Sequence, residues 1–273
     1  MKRYSLFILL LGLVTLTTIG GCNKDKIQDF GAVEFMDESN SIVKINMASA
    51  YPDDRYMIVK FNDVRVTPKI RGREPYPGGG YNTRGPSSSE FLMVKGGDVE
   101  VKVVLPKTKD DGTDSVLLYK TTLNIKANSR YTFHVTDTGA NTKVIPTEET
   151  FALPDSSYAS YRFVNLIPNV PAVDLYYGFY STSATAQKPD QDSLVLSNIK
   201  YGEISPTFVL NRAITRTWKV RPAGAAVTNA TVLAFYANAG STLNQRQYTA
   251  YAMGWAGKTD AIMKPYISFM LVR

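Results

Sequence analysis

Asp98-Val99-Glu100-Val101-Lys102-Val103-Val104-Leu105 decides the fold class of this chain. Val99, Val101, Val103 and Leu105 fall on one side of an extended backbone, while Glu100 and Lys102 fall on the other, the pattern of a strand buried on one face. Working outward, residues 56–61, 115–120, 131–135, 217–220, 231–236, 248–253 and 267–272 carry the same β-branched and aromatic weight. Turn chemistry separates them at Asn62-Asp63, Asp111-Gly112, Pro222-Ala223-Gly224 and Asn238-Ala239-Gly240. Beyond the N-terminal segment there is no helical stripe. Short strands with frequent turns predict an all-β chain built as sandwich or barrel.

The strands also repeat. Asn46 with Pro52 is echoed by Asn165 with Pro171 at a shift of 119 (165 minus 46). Phe91-Leu92-Met93-Val94 is echoed by Phe208-Val209-Leu210, and Tyr131-Thr132 by Tyr248-Thr249, both at 117 (248 minus 131). So steady a shift predicts two related domains, 41–154 and 155–273, joined near Leu153-Pro154-Asp155-Ser156-Ser157. Residues 22–40 then form a tether with a coil-like reach of about 25 Å; the alternative is that Ala32-Val33-Glu34-Phe35 opens the first sheet.

The second copy carries a resemblance. Tyr161-Arg162-Phe163-Val164-Asn165-Leu166-Ile167-Pro168-Asn169-Val170-Pro171-Ala172-Val173-Asp174-Leu175-Tyr176 resembles the signature of the family called domain of unknown function 4397. Residues 194–202 and 248–254 resemble its later elements. The first half is a diverged copy, in which Ser49-Ala50-Tyr51-Pro52 keeps one proline and Asp53-Asp54-Arg55-Tyr56 replaces the Val-Asp-x-Tyr order. The resemblance implies two tandem immunoglobulin-like β-sandwich domains on a bacterial envelope lipoprotein, with no established activity. Read from the residues themselves, Pro168 and Pro171 bar helix, Asn165 bridges backbone at a strand end and Asp174 ties down the turn. A metal-ligand role for Asp174 is the alternative.

At the N-terminus, Met1-Lys2-Arg3 precedes an apolar run at 6–14, and Thr18-Ile19-Gly20-Gly21 leads to Cys22, the one cysteine in the chain. The run is too short for a spanning helix, which needs about 20 residues. The segment resembles the lipobox of a bacterial lipoprotein signal peptide, with Ile19 where leucine is more usual. The resemblance implies removal of residues 1–21, lipidation of Cys22 and attachment to a membrane through the new N-terminus; plain secretion is the alternative. Asn23 follows in place of an inner-membrane retention aspartate, so outer-membrane delivery is expected. Lys24-Asp25-Lys26 and Asp29 match a surface-export signal poorly, leaving both the cell surface and the periplasmic leaflet open.

Removing 21 residues from 273 leaves 252, and losing Lys2 and Arg3 lowers the net charge from +7 to +5. That charge is spread out, with no basic block of the kind nucleic acid requires. With Cys22 lipidated, no thiol remains for disulfides, zinc or nucleophilic catalysis. His134, the lone histidine, alternates with Tyr131, Phe133 and Val135 and is expected to face outward into solvent. There is no Gly-x-Ser-x-Gly elbow and no metal-spaced histidine pair, and residues 78–85 lack the Gly-Lys-Ser/Thr ending of a phosphate loop. Asp110-Asp111-Gly112-Thr113-Asp114 departs from calcium-loop spacing and reads as a polar hairpin tip. The chain is therefore expected to be a non-enzyme without metal or cofactor. A two-carboxylate hydrolase is the remote alternative.

Residues 67–89 lengthen the first domain and carry Lys69, Arg71, Arg73, Tyr76, Tyr81 and Arg84. They have two readings: a ligand-binding loop offering cations and flat rings to an anionic or sugar-like ligand, or a mobile solvated loop, which the Gly, Pro and Ser content favours. Residues 181–192 read likewise as a solvated loop. The expected role is a lipid-anchored surface protein that binds or adheres to a protein or glycan, with a structural spacer or assembly component as the alternative. Exposure of Trp218, Trp255 or Tyr176 would favour binding, and their burial the spacer.

Overall fold

The computed structural model describes residues 36–107, 114–150, 152–211, 216–238 and 242–272. The lipobox, Cys22, most of the tether and the tip around Asp111 lie outside these residues. The first half forms β1 (Asn40–Met47), β2 (Ile58–Phe61), β3 (Val64–Arg65), β4 (Gly80–Tyr81), β5 (Leu92–Lys95), β6 (Gly97–Pro106), β7 (Asp114–Ile125), β8 (Arg130–Thr136) and β9 (Lys143–Glu148). The second forms β10 (Tyr158–Leu166), β11 (Ala172–Gly178), β12 (Ser193–Lys200), β13 (Phe208–Asn211), β14 (Arg216–Pro222), β15 (Ala234–Asn238), β16 (Gln247–Met253) and β17 (Tyr266–Leu271). Residues 98–105 lie in β6, between β2 and β7, with Val99, Val101 and Val103 buried as the alternation requires.

Each half is a β-sandwich. The sheets β5-β1-β8-β9 and β3-β2-β6-β7 of the first recur in the second as β13-β10-β16-β17 and β12-β11-β14-β15. Even the parallel pairing recurs, as β1 with β8 and β10 with β16. The register corrects the sequence alignment. Val43 lies opposite Tyr131 and Tyr161 opposite Tyr248, so the shift in the opening strand is 118 (161 minus 43) and Asn165 corresponds to Met47, not to Asn46. A one-residue slip exchanges the faces of a strand. Asn165 accordingly follows the inward Tyr161 and Phe163, donates to Ile199 O at 3.2 Å and accepts from Ile167 N at 3.1 Å, the bridging role expected of it. Asn46 instead points out of its sandwich and meets His134, Nδ2 to Nδ1, at 2.9 Å.

The first core gathers Val43, Ile45, Phe61, Val101, Val103 and Phe133. The second is built around the fully buried Trp218, whose ring lies 5.0 Å from Tyr161, 5.4 Å from Tyr177 and 5.2 Å from Phe269, each edge to face.

The outward faces of the two parallel-paired sheets meet each other instead of water. β16 is buried at every position along its length. In this seam Ala48, Ala50, Val164, Leu166, Tyr251, Met253 and Met270 form a third apolar cluster. Polar groups fill the remainder: Glu149 accepts from Thr132 Oγ1 at 2.8 Å and from Thr249 Oγ1 at 2.9 Å, and Lys44 Nζ donates to Ser88 O and Leu271 O. Burial raises the Glu149 carboxyl above the usual range and pulls Lys44 down to about 8. The expectation for His134 is corrected here. The histidine does leave its own sandwich, but the second copy covers it, with Tyr251 ring to ring at 6.3 Å and its exposure at 0%. Burial, with the Arg162 charge nearby, lowers its pKa from 6.5 to about 3, so it is neutral.

Residues 67–89 also differ from the solvated-loop expectation. The segment bridges backbone to backbone with the first sandwich at Met57–Ile70 and Ile45–Tyr76, then crosses over. There β4 adds to the free edge of β17, with Tyr81 opposite Phe269 and Gly80 opposite Met270. Asn82 Nδ2 donates to Ile267 O at 2.8 Å, Ser268 Oγ to Asn82 O at 2.8 Å and Ser89 Oγ to Val272 O at 3.0 Å. Gly80 is required by this approach, because a Cβ there would collide with the Phe269 carbonyl. The segment is a strap between the sandwiches.

Candidate functional site

The six side chains singled out in the strap do not converge. Lys69 lines a shallow depression with Asp53, Arg55, Tyr56 and Lys107. Arg71 and Arg84 both bind the Asp54 carboxylate, at 2.8 Å and 2.6 Å. Arg73 donates to Asn82 O at 2.9 Å and lies over the Tyr266 ring at 3.6 Å. Tyr76 packs on the first core, while Tyr81 packs on the second with its ring 5.9 Å from Tyr248. Arg71, Arg73, Tyr76, Tyr81 and Arg84 hold the strap in place.

Asp174 is also engaged internally, though not with its own turn as expected: its Oδ1 accepts from Asn198 N in β12 at 2.7 Å and its Oδ2 from Gly224 N after β14 at 2.9 Å. Among the described residues no group of three or more His, Cys, Asp or Glu is placed to hold a metal, and no helix is long and apolar enough to cross a membrane. Trp218 and Tyr176 are buried. Trp255 is half-buried against the seam cluster and donates to Ala50 O at 3.2 Å.

A concave feature lies elsewhere, on the open flank of the second sandwich. A groove of about 540 Å³ runs beside the edge strand β15, between the segment 181–192 and the residues leading into β17. Phe235 and Tyr236 come from β15, Tyr266 from the start of β17, and Lys258 and Lys264 from the turn before it; Gln187, Asn229 and the strap's Asn82 add amides. Tyr236 is seated by its own core, with its ring 5.1 Å from Phe269.

The wall containing Gln187 is held by buried charge. Lys219 and Arg221 alternate with Trp218 and Val220 along β14 and so leave the core on the outer face. Asp192 meets them there, Oδ1 to Lys219 Nζ at 2.5 Å and Oδ2 to Arg221 Nη2 at 2.7 Å, with all three side chains at 0% exposure. This triad folds residues 181–192 onto the sheet, and Gln187 Nε2 secures them by donating to Ser181 O at 2.9 Å and Ser183 O at 2.8 Å. Residues 181–192 are mostly exposed, as expected of a solvated loop, while Gln187 and Asp192 pin them to the sheet. No local signal marks the triad, since Asp192 lies 27 residues from Lys219 in sequence. A hydrophobic Phe235-Tyr236 on an edge strand was the one readable sign of the groove.

With the geometry in place, comparison with known proteins adds the following. A family model described as Domain of unknown function (DUF4397) matches residues 45–176, from the middle of β1 to Tyr176 in β11. Residues 45–176 belong to the DUF4397 family. The match takes in the copy that looks diverged, together with the 161–176 motif that opens the second. Of the groove, only Asn82 lies inside the DUF4397 match. No curated protein sequence matches the chain.

Solved structures resembling it include a family 26 carbohydrate-binding module of Eubacterium rectale Amy13K in complex with maltoheptaose, at 14% identity and a TM-score of 0.20, covering 80% of this chain and 95% of that one. A family 41 carbohydrate-binding module from a streptococcal virulence factor aligns at 7% identity and a TM-score of 0.24, covering 83% and 96%. A candidate cell adhesion protein of Bacteroides uniformis aligns at 6% identity and 0.23, covering 86% and 100%. No ligand is carried over from likenesses at that level.

Proposed function

We propose that this protein is a lipid-anchored envelope protein with a non-catalytic binding role, and that the flank groove of its second sandwich holds the ligand. The groove carries the reading: three half-buried aromatic rings, three amides and two lysines converge there, in a molecule whose tryptophans serve the core and the seam. No carboxylate lines the groove, whereas hydrolysis by paired acids needs two facing ones. Thr18-Ile19-Gly20-Gly21-Cys22 supports an outer-membrane lipid anchor, and a surface ligand calls for display on the outer leaflet.

The test uses Ala184→Trp, which places a bulky ring at an exposed position of the groove wall. Mature protein carrying Cys22→Ser is expected to bind isolated cell-surface polymers, and Ala184→Trp to abolish that binding without changing the melting temperature. Unchanged binding overturns the assignment of the groove. In cells, Cys22→Ser is expected to move the protein from the membrane to the soluble fraction, and protease added to intact cells to cut the wild type.

A second reading, a spacer that sets distance or docks partners, draws on the burial of Trp218 and Tyr176 and on the strap joining the sandwiches. It predicts that Ala184→Trp has no effect in any binding assay, while loss of the strap does.

A further inference from the structure

We infer that the groove is built for an acidic sugar chain, an inference that rests on the binding role proposed above. The first observation is an unmatched acceptor. Gln187 is 6% exposed, and its amide orientation is set because Nε2 donates to two carbonyls. Its Oε1 is left without a partner on a residue that lines the groove. A buried acceptor left unmatched costs about 1–3 kcal/mol. A ligand that brings an O–H donor removes that cost, and sugar rings carry hydroxyls all round.

The second observation is charge. Lys258 and Lys264 are both exposed on the groove, and no acidic residue joins them in its lining. Asp260 lies between them in sequence, but its Oδ1 accepts from Ile262 N at 3.1 Å and Met263 N at 2.8 Å, which turns the carboxylate into the turn. Those amide bonds, with the Lys258 charge beside it, hold its carboxyl below the usual carboxylate range, so it stays an anion that partly offsets Lys258. Two ammonium groups facing this one carboxylate outside the lining leave the groove net positive and favour a ligand with carboxylate, sulfate or phosphate substituents.

The third observation is the half-buried ring of Phe235, which alternates with the inward Tyr236 and so leaves β15 on the same outer face as Lys219. Such a ring matches the C–H face of a pyranose. A volume of about 540 Å³, open along a strand edge, suits a short run of such units. An acidic peptide shares the charge but supplies no hydroxyl-rich face.

The experiment is titration calorimetry on the mature Cys22→Ser protein with oligogalacturonate, the uncharged maltoheptaose and a poly-glutamate peptide, each at low and high salt. Oligogalacturonate is expected to bind, and to weaken as salt rises. Lys258→Glu with Lys264→Glu is expected to cut its affinity about tenfold or more, and Lys258→Gln with Lys264→Gln by less. Both lysines are exposed, and an unchanged melting temperature verifies the fold. If maltoheptaose or poly-glutamate binds as tightly as oligogalacturonate and Ala184→Trp blocks it, the acidic-sugar assignment falls and the groove stands. If oligogalacturonate binding ignores both the charge reversal and Ala184→Trp, both fall. No binding by any of the three probes also overturns the acidic-sugar assignment.

Discussion

The dry interior of each sandwich and the seam between them are buried equally well, yet they are made of different material. Trp218 sits among Tyr161, Tyr177, Phe208 and Phe269, whereas the seam places His134, Lys44, Glu149 and Thr249 beside Tyr251 and Met270. The difference teaches what period-two alternation encodes. It tells which face of a strand enters its own core. It does not tell whether the other face meets water, because a face destined for a second sandwich can keep polar residues provided they bond across the joint.

That contrast can be broken by substitution. Trp218→Ala should cost the most, about 3–5 kcal/mol, since it opens a cavity that a close-packed ring cluster cannot refill; a urea titration reads it directly. Asp192→Asn should cost about 3 kcal/mol, because it strands the charges of Lys219 and Arg221 on a covered face. It should also release residues 181–192 to protease, and a melting temperature equal to wild type would show the triad to be idle.

Gly80→Ala should cost about 2 kcal/mol through loss of the β4 pairing, with new cleavage inside residues 67–89 under limited proteolysis. His134→Gln tests the seam through pH. The native histidine holds its pKa near 3 against an ordinary 6.5, so its contribution is complete above pH 6.5 and is lost as pH falls towards 3. The wild type should therefore lose about 1.4 kcal/mol per pH unit below 6.5 that the variant does not lose. Parallel stability curves from pH 7 to pH 4 would contradict the buried neutral state. Arg55→Ala, which breaks an exposed pair with Asp53 at 2.8 Å, should change stability by no more than about 0.5 kcal/mol.

Much of the fold was legible. Residues 98–105 announce β6, and the Tyr131 and Tyr248 echo marks equivalent strands in copies with one strand order. That Asp174 would accept from backbone was readable from its residue type, but its partners, 24 and 50 residues away, were not. What stayed hidden depends on distance along the chain. Nothing near Gly80 says that it abuts Phe269, and nothing near Asp192 announces Lys219. Arg71, Arg73 and Arg84 looked like cations offered to a ligand because Asp54 and Asn82, which occupy them, gave no sign of pointing their way. The groove was missed for the complementary reason: its lysines and rings come from separate turns and an edge strand, and only folding brings them together.

The strap has a consequence for how the chain is made. Asn82 and its partner Ile267 are 185 residues apart, so the first sandwich leaves the ribosome with residues 67–89 lacking their final anchor. The exposed seam face and the loose strap must wait until β17 has been synthesised, at about 5–20 residues per second. A nascent chain arrested before β17 would offer proteases their opening at the strap.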